Sequence, residues 1–101
     1  MATTDPEPLW RHLLGDQLRD IRQGRGQTLT ETARRAGVSP QYLSEMERGL
    51  KEPSSEMIAA VAGALDTSLV DLTLGVAERA LERAPAQPAQ ANVRVSLALA
   101  A

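Results

Sequence analysis

The segment Gly37-Val38-Ser39-Pro40-Gln41-Tyr42-Leu43-Ser44-Glu45-Met46-Glu47-Arg48-Gly49 concentrates side chains that can make directed hydrogen bonds. Gln41 brings an amide, Tyr42 and Ser44 hydroxyls, Glu45 a carboxylate and Arg48 a guanidinium. On a short helix opening at Ser39-Pro40, with Leu43 and Met46 turned inward, these are the outward positions. Such a surface either recognises a hydrogen-bonding partner or is an ordinary solvated helix face, and composition alone favours the second. Bond-making chemistry has less support. The chain has no Cys, and His12, which reads as an exposed polar residue, is its only imidazole. A thiolate metal site, a nucleophile–base pair and a phosphate-cradling loop are all missing, so we expect neither an enzyme nor a metal or other cofactor.

The elements that must position this segment are legible from local signals. Pro8 suits a first helical turn, and Leu14, Leu18 and Ile21 follow as an apolar stripe, until Gly24 and Gly26 interrupt it. Thr28-Leu29-Thr30-Glu31 has the spacing of a capping box and starts a second helix. Gly37 is placed to end it in the left-handed conformation, with Arg34 and Arg35 complementing the dipole of the last turn. Ser39 as cap and Pro40 at the first position start a third helix, which Gly49 stops. Ser54 caps a fourth helix with Met57, Ile58, Val61 and Leu65 inward. A fifth, entered near Ser68, carries Leu69, Leu72, Val76 and Leu81, with Gly75 weakening its middle.

The expected organisation is a tail over residues 1–7, one helical domain with a helical extension over 8–83, and a low-complexity linker with a short extended tail over 84–101. At 101 residues with 2% aromatics and no Phe, the core must be small and aliphatic, which suits helices better than a sheet. There is no leader-like N-terminus and no apolar run of membrane-spanning length, so the expectation is a cytoplasmic protein without a membrane partner. The net charge of −2 argues against a generic polyanion binder. Its distribution is uneven: from Arg11 to Lys51 eight basic residues face five acidic ones, whereas residues 52–101 hold three against six.

Two short helices joined by a tight Gly-containing turn are the layout of a helix-turn-helix, whose second helix enters the DNA major groove. The resemblance becomes specific over residues 14–74. Leu29 and Ala33, the turn Ala36-Gly37-Val38-Ser39, the segment Tyr42 to Gly49, Pro53-Ser54 and the closing Ser68 to Leu72 together resemble the Cro/CI-type (XRE) helix-turn-helix family. Leu13 to Arg19, the wording from Tyr42 to Ile58 and the Ala-rich tail are similar to one subgroup, the actinobacterial regulators of Clp-protease genes. The chain departs from the wider family at Thr32, where Leu is common, and at Gln27, where an apolar residue is common, which leaves the packing of the second helix open at those positions.

The resemblance implies an all-α, five-helix, lambda-repressor-like domain that binds double-stranded operator DNA. Pro40, Gln41, Ser44 and Glu45 become the base-reading candidates: Gln41 can bond adenine bidentately, Glu45 can accept from cytosine N4, and Pro40 can pack on a thymine methyl. Thr28, Ser39, Tyr42, Arg48 and Lys51 become phosphate contacts, with core packing an equal alternative for Tyr42. By the same resemblance Arg22 pairs internally with Glu47, a structural role.

A homodimer on a two-fold operator is expected, because one short helix reads too few base pairs, and Leu69, Leu72, Val76 and Leu81 are its candidate interface. The subgroup implies activation of Clp-protease genes. The alternating tail Val93 to Leu99 would suit a strand paired across the dimer. Alternatively Leu99-Ala100-Ala101 resembles a degradation signal taken up by the Clp protease machinery. The rival reading of the whole chain is an adaptor or antitoxin-like interaction module that keeps the fold without reading DNA.

Overall fold

The structure, a computed structural model, describes residues 9–83. Pro8 and the segments 1–7 and 84–101, including the expected linker, strand or degradation signal, lie outside the described residues. Five helices follow in order: α1 (Trp10–Gly24), α2 (Leu29–Ala36), α3 (Pro40–Glu47), α4 (Ser55–Ala64) and α5 (Leu69–Arg83). No single helix among the described residues is long and apolar enough to cross a membrane.

The expected caps form. Thr28 Oγ1 accepts from the Glu31 amide at 3.1 Å while the Thr28 amide donates to Glu31 Oε1 at 2.8 Å, closing the capping box. The Thr28 amide first, and then the Thr28 side chain, hold the Glu31 carboxyl below its ordinary range. Ser39, Ser54 and Ser68 accept from the amides of Tyr42, Met57 and Asp71 at 3.0, 3.2 and 3.0 Å. Gly37, at φ 76°, ends α2 in the left-handed region, where a side chain would be strained. α1 starts later than Pro8 suggests. Leu9 stands before its first turn without a side-chain cap.

The core gathers Leu14 and Leu18 from α1, Ala33 from α2, Leu43 and Met46 from α3, Val61 and Leu65 from α4 and its end, and Leu72 and Val76 from α5. α1 lies across both α3 and α5, and α2 packs on α3 and α4. Between α4 and α5 the chain turns by 100°, and Asp66 in that turn, at φ 55°, binds the ends of two earlier helices. Its carbonyl accepts from Arg25 at 3.2 Å and its carboxylate lies 3.6 Å from Arg35.

Thr32 and Gln27, the two departures from the family pattern, are partners. The fully buried Thr32 donates to Gln27 Oε1 at 2.7 Å. A buried hydroxyl replaces a buried methyl group only if bonded, and Gln27 supplies that bond.

Gly15 sits where α1 crosses the end of α3. A Cβ there would fall 2.5 Å from the carbonyl oxygens of both Met46 and Glu47. Gly15→Ala should therefore destabilise the fold by about 1–3 kcal/mol through overpacking. Gly63, in α4, has nothing within 4 Å of a built Cβ. Gly63→Ala should stabilise by about 0.5–1 kcal/mol. Urea denaturation of the two variants measures both signs, and equal shifts would contradict the packing described.

Candidate nucleic-acid interface

α3 turns Leu43, Met46 and Glu47 into the protein. What remains outward is the face in question: Pro40, Gln41 and Arg48 exposed, Tyr42, Ser44 and Glu45 half-buried. The four base-reading candidates thus share one side of one helix, beginning at its N-terminal turn. Gln41 and Glu45, one turn apart, approach to 3.5 Å between Nε2 and Oε2. Lys51, beyond the end of α3, places its ammonium 3.5 Å from Glu45 Oε1 and 5.8 Å from the centroid of the Tyr42 ring. The acid on this face is therefore not a bare negative charge; a lysine accompanies it.

Tyr42 packs against the core cluster while remaining half-exposed, so the packing alternative holds for its ring. Ser39 and Thr28 use their oxygens as cap acceptors; the Ser39 hydroxyl keeps its proton available as a donor, whereas the Thr28 side chain also bonds the Glu31 carboxylate.

Behind the face lies the ion pair. Arg22 Nε donates to Glu47 Oε2 at 2.7 Å and Nη2 to Oε1 at 3.0 Å, while Nη1 donates to the Gln27 carbonyl at 3.0 Å. Both side chains are largely buried, at 12% and 7% exposure. The hydrogen bond to Glu47 holds the Arg22 guanidinium above its ordinary pKa, against the opposing effect of burial. Glu47 is consequently a structural residue whose charge is cancelled on site.

Beside the pair, a cleft of about 360 Å³ opens between α1, α2 and α3, lined by Arg19, Arg22, Leu29, Ser44, Glu47 and Arg48. The sequence reading chose Arg48 and Ser44 but passed over Arg19. Arg19 belongs to the Leu13 to Arg19 stretch that carries the subgroup resemblance, but as a single basic residue on the polar side of an amphipathic helix it matches any solvated position.

The dimer candidates need correction. Leu72 and Val76 are 1% and 2% exposed and belong to the core of the single chain, whereas Leu69 and Leu81 are 50% and 39% exposed. Beside Leu69, an outward apolar stripe on α5 is formed by Val70, Leu74, Ala77 and Leu81, at i, i+4, i+7 and i+11. Both stripes have helical spacing, so the sequence alone does not separate them. α5 is fastened to α1 by Arg79, which donates to Gln17 Oε1 at 2.6 Å and pairs with Asp20, and by Arg83, 3.4 Å from Asp16.

A helix opening at a capping box, a glycine turn and a second short helix held from behind by a buried ion pair define a helix-turn-helix domain. The model of that family, described as helix-turn-helix, matches residues 18–72, and the chain belongs to this family, in its XRE-type branch. The chain is 46% identical over 71 residues to the transcriptional regulator ClgR of Mycobacterium tuberculosis (strain H37Rv), covering 70% of this chain and 63% of that protein's length. Among solved structures, the clp gene regulator ClgR from Corynebacterium glutamicum superposes with a TM-score of 0.74 at 43% identity, over 94% of this chain and 97% of that one. The restriction-modification controller protein C.Esp1396I, solved as a tetramer on its natural 35 base-pair operator, gives 0.69 at 19% identity, over 74% of this chain and 99% of that one. At that identity the likeness concerns the fold.

Removing either member of the pair strands a charge in a largely buried site. Arg22→Ala or Glu47→Ala should cost about 3–5 kcal/mol, while the double variant Arg22→Leu with Glu47→Leu should recover most of it. Urea midpoints provide the measurement. A double variant as unstable as either single one would remove charge stranding as the cause.

Proposed function

We propose that this chain is a sequence-specific DNA-binding transcriptional regulator that acts as a homodimer on a two-fold operator. The observation that carries the reading is the outward side of α3, where Pro40, Gln41, Ser44 and Glu45 stand together while the helix's own carboxylate Glu47 is neutralised behind them. Amide and carboxylate groups one turn apart match the donor and acceptor pattern of base edges in the major groove. Thr28, Ser39, Tyr42, Arg48 and Lys51 flank this side and take backbone phosphates. Relatives at 46% and 43% identity carry the name ClgR, the second as a clp gene regulator, and we assign this chain genes of the same class as targets, with activation as the sign of control, in the cytoplasm.

Selection of bound duplexes from a random pool tests the reading. A two-fold motif is expected. Gln41→Ala should weaken the selected site by about 1–3 kcal/mol and erase the preference at one base pair in each half-site. An unchanged motif would place recognition on another surface.

For the dimer, the exposed stripe of α5 replaces the core residues as the proposed interface. Leu74, 58% exposed, should yield a folded monomer in sedimentation when changed to Asp, whereas Leu72→Asp should unfold the domain. A dimeric Leu74→Asp protein would move the interface off this helix.

A further inference from the structure

The ten Arg and Lys side chains among the described residues divide sharply. Arg11, Arg22, Arg25, Arg35, Lys51, Arg79 and Arg83 each have a carboxylate within 4 Å. Within the described residues Arg19, Arg34 and Arg48 have none. Two of these three, Arg19 and Arg48, line the same cleft, one from α1 and the other from the end of α3. The only carboxylate lining that cleft is Glu47, and both its oxygens are already taken by Arg22. Three guanidiniums against one spent carboxylate leave the cleft with a local charge of +2, in a chain whose net charge is −2.

Like charges left facing one depression oppose folding slightly, and a solvated face has no reason to collect them where most of the surface cations are paired. They suit an anion. Ser44 adds a hydroxyl donor beside them, one turn before Arg48 on the helix that carries the base-reading candidates. We propose that Arg19 is a DNA-contacting residue, which with Arg48 and Ser44 grips one backbone phosphate in the cleft and so ties the first helix to the duplex. The proposal rests on the DNA-binding reading above and adds a contact from an element outside the helix-turn-helix itself. A phosphate held there would fix how deep and at what tilt α3 enters the groove, because α1 and α3 are already locked together by Arg22 and Glu47.

Salt titration tests it. Wild-type protein and variants are titrated with a duplex selected from the random pool and with an unrelated duplex of the same length, from about 50 to 200 mM salt. Arg19→Gln should lower the slope of log affinity against log salt by about one and weaken both duplexes by the same factor, about three- to tenfold at the lower salt. Arg19→Lys should keep most of the slope. Arg25→Ala, which removes a cation just past the end of the same helix that is paired with Asp66, should leave it unchanged. The double variant Arg19→Gln with Arg48→Gln should lose less than the sum of the single losses, because both groups act on one phosphate. Arg19→Gln with wild-type helix content and an unaltered slope would overturn the proposal, and a strictly additive double variant would overturn the shared clamp. If the wild-type protein itself showed no salt-dependent binding to either duplex, the DNA reading would fall and this contact with it, an outcome separate from failure of Arg19 alone.

Discussion

The buried pair between Arg22 and Glu47 is the constraint on which the arrangement of this domain depends. Taking both charges out of water is expensive, and mutual attraction repays it only when every remaining hydrogen-bonding group is satisfied. Here each nitrogen of the guanidinium has a partner: Nε and Nη2 serve the two carboxylate oxygens, and Nη1 serves the Gln27 carbonyl. One side chain of α1 thereby fixes the chain between α1 and α2, and also the last turn of α3. An apolar pair of similar volume could hold the helices as firmly, but would tolerate sliding and rotation. A bidentate contact with fixed directions does not, so its main effect is on the orientation of α3 rather than on total stability.

That orientation matters because α2 and α3 are too short to exist alone. Each has eight residues, well under the about 12–15 at which an isolated helix becomes even marginal in water. Caps and tertiary contacts must supply what length does not. α3 gives three of its eight residues to the interior, and Gly15 of α1 lets the two helices touch through backbone. The outward positions are thus released from any duty to hold the helix in place. This release answers why Gln41, Ser44 and Glu45 can stand where Ala and Lys would serve a helix better.

Signals confined to a few neighbouring residues were legible in the sequence. The Thr28 box, the left-handed Gly37 and the serine caps of α3, α4 and α5 each follow from residues within one turn, and each formed. Relations that depend on how helices meet were not. The bond from Thr32 to Gln27 joins a helix interior to a preceding loop, and no local pattern announces it. On α5, two apolar stripes of equal period run side by side, and spacing cannot say which faces α1. Val76 and Leu72 face inward, and Gly75 between them lets Gln17 of α1 come close, a packing cue readable only once α1 is in place. The cleft beside α3 is legible for the same reason only in three dimensions, since Arg19 and Arg48 are distant in the chain.

The pattern of ion pairs also bears on how such a domain would meet a polyanion. With a net charge of −2 and most of its described cations matched to carboxylates, the molecule offers little long-range attraction, which salt would screen within about 8–10 Å in any case. Attraction must therefore be local, supplied by the few unmatched guanidiniums and by Lys51, whose partner Glu45 is itself a base-reading candidate. A weak general attraction lowers affinity for every sequence alike. Directed contacts from the outward side of α3 then make up a larger share of the binding energy, so a mismatch removes a larger fraction of it. By this reasoning the modest charge of the domain does not oppose the proposed DNA recognition; it would shift the balance from holding DNA to distinguishing one sequence from another.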